Sequence, residues 1–407
     1  MKDRVFYLCS RGFAPVGNLA IVVAVGYAYG VGGVGDYTYA LAVCGPLYFL
    51  FSFNIPLYFA VRGNAAVWRP EVLLLRMISS GSTLLVAMPL LIVDRTLVKV
   101  AAAVWVLKLG DMFFELAAAS VIVRTDRSDR GRRICTMEGA RVASMQIVLW
   151  VVVLVGGVDL VALLCAVGAM NLVVSALLLL RVPHWEWERP THASFRTYAR
   201  ELLAGSAPMT LSAAILSLSL GLPRLLLDTQ MIDSERALVG IAQIAATIFA
   251  VFCNSIWMYE LPKLQAARAA RDYIAIEARD RMLSLVYLAT LTLAAIATAL
   301  VVKANAFPLL VNPSDGPLLA FAIFVMALQH CVSPQRDILK VLGMSWREAR
   351  ILAVAVLCAM LSWAALRGTG RASWETTLAV MVAGSILVQW IGCSRALRSQ
   401  MEEKGEV

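Results

Sequence analysis

Val104–Val123, VWVLKLGDMFFELAAASVIV, is long and apolar enough to cross a bilayer, yet it carries Lys108, Asp111 and Glu115 near its middle. At about 100° per residue, positions 108 and 115 nearly eclipse and 111 lies about 60° away, so one helix face holds all three charges. Each charge costs roughly 2.5–3.5 kcal/mol to insert, about 7–10 in total, while the apolar residues of the segment return about 3–7. That face cannot point at lipid. It needs a protein interior or a wet cavity, which makes it a functional candidate. Lys108–Asp111 and Asp111–Glu115 also have the i+3 and i+4 spacing of intrahelical pairs, so a purely structural polar contact is the competing reading. Two acids then face one base, a surplus that suits ion exchange.

The rest of the chain has the same apolar character. Of its 407 residues, 60% are hydrophobic and 15% charged, with a mean hydropathy of +0.76. This composition predicts an all-α polytopic membrane protein. Apolar runs at about 12–31, 37–61, 77–93, 100–123, 142–158, 159–180, 203–227, 237–260, 283–302, 316–333, 351–367 and 376–394 predict twelve spans. The turn at Gly156-Gly157 is very tight. The connection near 181–202 divides the chain into six-helix halves, 1–200 and 201–407, expected to enclose a central cavity. GVGDYTYALAVCGPLYFLF (33–51) and ALVGIAQIAATIFAVF (237–252) begin equivalent spans of the two halves. Met1-Lys2-Asp3-Arg4 leads into a segment too long for the core of a cleavable signal, with no small-residue cleavage site.

Orientation follows from Lys and Arg. With the N-terminus inside, 28 of the 36 basic residues fall in cytoplasmic segments and 6 in outer loops, a bias that places both termini in the cytoplasm. The net charge of +9 is explained by topology and anionic headgroups rather than nucleic acid. The segment 261–282, containing LQAARAARDYIAIEARDRM, reads as an amphipathic helix along the cytoplasmic face. No outer loop exceeds about 15 residues, which leaves no place for an extramembrane catalytic domain. The eight cysteines are scattered and the three histidines have no ligand spacing, so no metal, cofactor or disulfide framework is expected. There is no Walker A sequence and no GxSxG.

Arginines supply the other candidates. Arg224 follows Pro223 in GLPRLLLD, where proline favours a helix break. Its guanidinium either receives an anionic group or pairs with Asp228 at i+4. Arg11 beside the Gly- and Pro-containing start of span one, and Arg62 at the end of span two, either face a vestibule or snorkel to headgroups. Asn18, Asn54, Asn171 and Asn254 read as interhelical hydrogen bonds.

GVGDYTYALAVCGPLYFLFSFNIPLYFAVR, then GLPRLLLD, ALVGIAQIAATIFAVF and MYELPKL, resemble the Wzx-type polysaccharide flippases, relatives of the multidrug and toxin extrusion (MATE) transporters. Gly35, Tyr37 and Ala40 match the family's start of span two, Arg224 its span-seven arginine, Gly240 and Ala245 its span eight, and Pro262 the proline that follows. Pro223 stands where the family has Asp, and the span-eight tyrosine is missing. The resemblance implies a bacterial inner-membrane flippase moving an undecaprenyl-diphosphate-linked oligosaccharide by alternating access, ahead of O-antigen or capsule polymerisation. It implies proton or sodium coupling and other polysaccharide-assembly proteins as partners. In that scheme Arg11, Arg62 and Arg224 take the substrate's charge, and Lys108, Asp111 and Glu115 exchange the ion. The alternative is an exporter of cationic small molecules; a membrane polymerase or ligase is third. Under the flippase reading, Arg224→Ala abolishes surface polysaccharide at normal protein level, and a variant that still complements a flippase deletion overturns the role of Arg224.

Overall fold

The computed structural model describes residues 2–55, 58, 70–90, 95–124, 129–181, 192–304, 313–369 and 372–402. Regular structure among them is helical. The helices are α1 (Lys2–Ser52), α2 (Pro70–Leu90), α3 (Thr96–Arg124), α4 (Arg130–Val155), α5 (Leu160–Leu180) and α6 (His192–Leu227). They continue as α7 (Asp233–Ala269), α8 (Tyr273–Lys303), α9 (Gly316–Leu328), α10 (Ser333–Val341), α11 (Ser345–Thr369) and α12 (Trp374–Glu402).

These helices follow the twelve apolar runs in order, with two departures from one helix per run. α1 holds the first two spans, separated at Gly30, whose φ of 70° and ψ of −168° interrupt the helix. Only glycine adopts that backbone without strain. Span ten is split, for α9 and α10 are joined by a 3₁₀ turn, Gln329–Val332. The tight outer turn is as the sequence predicts. Gly156 and Gly157 have φ of 72° and 75°, and Asp159 caps α5 by accepting from the Ala162 amide at 2.7 Å. Tyr29 donates to the Val158 carbonyl at 2.8 Å, tying this turn to the end of span one.

Two sequence expectations are corrected. Residues 261–282 do not form a separate surface helix. They continue α7 to Ala269 and begin α8 at Tyr273, with Arg271 at φ 58° in the reversal and Asp272 capping the Ala275 amide at 2.9 Å. Leu261, Leu264, Tyr273 and Ile276 are buried in one core, so the apolar stripe faces protein rather than headgroups. Nor does Pro223 break its helix. α6 runs through it to Leu227, since one missing amide donor in a membrane helix is compensated by neighbouring groups.

Two compact units are present, Met1–Ala214 and Ile215–Val407. In the first, α3 packs along α5 and α1 along α4; in the second, α9 packs on α7 and α8, and α11 on α12. Outward faces are apolar too. On α8, Leu285, Leu293, Ile296 and Leu300 are exposed, while Leu283, Tyr287, Leu291 and Ala295 are buried. A helix apolar on both faces belongs in lipid. The chain is therefore a multi-pass membrane protein, and among the described residues nine helical segments, one of them α9 and α10 taken together, have the length and hydropathy to span.

The α3–α5 contact depends on small residues. A Cβ on Gly110 would lie 2.5 Å from the Asn171 side chain, and one on Gly168 would lie 2.9 Å from the Leu107 amide nitrogen. Close backbone approach of this kind is how membrane helices maximise packing. Gly110→Ala should cost about 1–3 kcal/mol through overpacking, read as a lower apparent Tm in detergent. Gly139→Ala, whose Cβ meets only ordinary contact at 3.7 Å, is the control and should not lower it.

Candidate functional site

The three charges of α3 lie in a buried network within the first unit. Lys108 Nζ is 3.0 Å from Asp111 Oδ2, the i+3 pair that the spacing allows. The surplus of acid over base is offset by Arg76 of α2, while α4 adds a balanced pair, Glu138 and Arg141. Arg141 Nη1 lies 2.6 Å from Asp111 Oδ1, and its Nη2 and Nε grip both oxygens of Glu138 at 2.6 and 3.0 Å. Asn171 on α5 closes the network. Its Oδ1 accepts from Arg141 Nη1 at 3.0 Å, and its Nδ2 donates to Asp111 Oδ1 at 3.0 Å and to the Leu107 carbonyl at 2.8 Å. The expectation that Asn171 serves an interhelical hydrogen bond is met, and two of its partners, Arg141 and Asp111, are charged.

Arg141 and Glu138 side chains are 4% and 5% exposed, whereas Asp111 is 24% and Lys108 17% exposed. The network therefore has a closed end and an accessible end. The Arg141 guanidinium lies 4.4 Å from the Phe114 ring centroid, and Lys108 Nζ 5.7 Å from that of Tyr48. Bidentate, charge-assisted bonds of this kind are the strong ones. A buried cation accepted by three partners is tolerated, whereas removing one partner strands the rest.

Glu115, one helical turn beyond Asp111, lies within electrostatic reach of Arg76 on α2 and of Tyr48 on α1. Arg76 is completely buried, and its Nε, Nη1 and Nη2 have no hydrogen-bond partner among the described residues. The sequence reading counted Arg76 and Arg141 among cytoplasmic-loop charges. Both instead sit inside helices, as does Arg336 on α10, which is 2% exposed.

Of the arginines proposed for substrate, only Arg224 has its side chain among the described residues. Arg62 lies outside them, as does the side chain of Arg11, whose backbone belongs to α1. Arg224, 1% exposed, makes the i+4 ion pair with Asp228. Asp228 is also 3.6 Å from Arg236 Nε, and Arg236 reaches Asp233 at 2.9 Å. Arg224 therefore belongs to a chain of paired charges at the α6–α7 connection.

The second unit has its own buried polar group where span ten breaks. Gln329 accepts from Ser219 on α6 at 3.2 Å, and Ser333 donates to the His330 carbonyl at 2.6 Å. Arg336 donates to Gln389 on α12 at 2.9 Å, and Gln389 donates to Ser385 at 3.1 Å. His330 is buried against Phe249 and its Nε2 has no partner among the described residues. A 3₁₀ segment within a span commonly marks a hinge or a site. The signal in the sequence is Ser333-Pro334 directly after the apolar run.

No protein-family profile matches the chain. No curated protein matches it. Solved structures do, and the fold is that of the MATE transporters. The chain is similar to a MATE protein in complex with the ligand MaD3S (TM-score 0.67, 13% identity, 99% of this chain and 96% of that one). It is similar to a multidrug-resistance MATE transporter in an outward-facing conformation (0.63, 13%, 98% and 94%). A third is a transporter of the same superfamily from Pyrococcus furiosus, described as having a binding pocket of reversed polarity and a different function (0.62, 12%, 98% and 96%).

Arg141→Met removes the guanidinium that Glu138 and Asp111 share. Its cost should be about 3–5 kcal/mol, measured as loss of apparent Tm in detergent. Arg141→Lys should recover only part, because an ammonium cannot hold two fixed pairs of acceptors at once. Equal stability of Arg141→Met and the parent chain would remove the network from the account.

Proposed function

We propose that the chain is an ion-coupled exporter of the MATE type that moves a small organic solute across the plasma membrane of a bacterium by alternating access, with both termini cytoplasmic. The observation that carries the reading is the end-to-end likeness to solved MATE transporters, joined to a charged network that one helix, α3, threads through the first unit. Asp111 and Glu115 are its coupling acids, and a proton or sodium ion is the coupling ion. An ion arriving at the accessible Asp111–Lys108 end competes with Lys108 and Arg141 for the carboxylate. Weakening those bonds loosens the α3–α4–α5 contact, which supplies the link between ion occupancy and conformation. Such coupling is worth what the two states differ in affinity for the ion, and no more.

A second reading, flipping of a lipid-linked oligosaccharide, is favoured by one observation. The completely buried Arg76 guanidinium, without a hydrogen-bond partner among the described residues, is chemistry suited to a phosphate oxygen. The motif resemblance in spans two, seven and eight points the same way, and Arg11, Arg62 and Arg224 are its remaining candidates.

Expression in a bacterial strain stripped of its own exporters separates the two. Under the exporter reading, the parent chain raises efflux of a cationic fluorescent dye, and Asp111→Asn and Glu115→Gln reduce it at least severalfold at equal protein level. Parent chain that moves no dye but restores surface polysaccharide to a flippase deletion overturns this in favour of the second reading.

A further inference from the structure

The ends of three helices in the first unit frame a cavity that the transport reading does not use. α3 closes there, α4 opens and α5 closes, around a volume of about 470 Å³, within the range of roughly 300–1,000 Å³ that holds small ligands. Arg132 and Arg133 from the first turn of α4, and Arg181 at the end of α5, line it. None of the three guanidinium groups has an ion-pair or hydrogen-bond partner among the described residues. Asp129 also lines the cavity, and its side chain makes no capping bond to α4.

Val121, Met137 and Leu178 supply the apolar part of the lining, Met137 one turn from Arg133 and Leu178 three residues before Arg181. On the same helix as Leu178, Val173, Leu177 and Leu180 are exposed at i, i+4 and i+7, an apolar stripe on α5. Cations alone would be explained by topology, since basic residues gather at cytoplasmic helix ends. Three exposed guanidinium groups, unpaired among the described residues, together with apolar lining and an apolar helix stripe describe a ligand with an anionic head and an acyl tail. Basic pockets at helix ends hold phosphate headgroups on this chemistry.

We propose that this cavity binds the phosphate headgroup of an anionic phospholipid, with Arg132, Arg133 and Arg181 on the phosphate oxygens and the first acyl carbons against Met137 and Leu178. Inorganic phosphate would use the arginines and leave the apolar lining empty. Asp129 opposes the anion, and its carboxylate sets the site's selectivity against doubly charged heads. The site requires only that the chain sits in a membrane, so it stands or falls separately from the transported solute.

The test is lipid retention by the full chain in detergent, read by native mass spectrometry with phosphatidylglycerol, phosphatidylcholine and inorganic phosphate as probes. Phosphatidylglycerol should be retained in preference to phosphatidylcholine. At about fivefold per surface arginine, the triple variant R132Q/R133Q/R181Q should lose that preference by roughly a hundredfold. Arg181→Gln alone should lose about fivefold, and Asp129→Asn should gain, an opposite sign that loss of folding cannot mimic. Equal retention of the two lipids by the parent chain overturns the proposal, as does undiminished preference in Arg181→Gln. Displacement of the lipid by submillimolar inorganic phosphate assigns the cavity to a free anion and also overturns it.

Discussion

Burying charge in a low-dielectric interior is the constraint on which the first unit depends. Arg141 could not occupy its place unless Glu138, Asp111 and Asn171 all arrived from the correct directions. An isolated ion in such surroundings costs several kcal/mol even after relaxation. The network therefore fixes the register of α3, α4 and α5 on one another: sliding one helix by a residue turns its partner about 100° away. Gly110 and Gly168 permit the separation at which these bonds are made. Packing and electrostatics here are one requirement, met by glycine on the backbone side and by arginine on the other.

The same economy of charge unifies the two units. Each holds a buried guanidinium paired across helices, Arg141 in the first and Arg336 in the second. Each also holds a buried polar group with no hydrogen-bond partner among the described residues, the Arg76 guanidinium in the first and the His330 Nε2 in the second. Paired groups specify the fold. Those without such a partner are where a solute, an ion or water has something to bind, since an orphaned polar atom carries a standing cost that a ligand can relieve.

Much of the fold was legible from hydropathy alone, because a run of twenty apolar residues has few alternatives to a span. The twelve runs, the Gly156-Gly157 turn and the Lys108–Asp111 pair all follow from period and spacing. Arg76, Arg141 and Arg336 were not legible. Hydropathy places a span's edge at the first arginine, so a helix that carries its arginine inward is truncated and the residue is assigned to a loop. Arg141 illustrates the loss: Glu138 three residues earlier has the spacing of a helical pair, but the segment looks like a basic connection. The amphipathic stripe at 261–282 misled differently. Periodicity reveals that one face is apolar without revealing whether lipid or protein covers it. Pro223 was over-read, because one lost backbone bond is affordable where α6 already ends four residues later.

The break in span ten sets a timetable for synthesis. α9 has 13 residues and α10 has 9, about 20 and 14 Å of helix, and neither crosses a hydrocarbon layer of about 30 Å alone. α10 reads SPQRDILKV, too polar to wait in lipid. Its arginine is satisfied by Gln389, which lies 53 positions further along the chain. While the ribosome is still making α11 and α12, the second piece of span ten has no finished surroundings. Its settling is post-poned until the last helix emerges, so loss of that final helix should leave a protein whose tenth span never matures, however intact the preceding nine are.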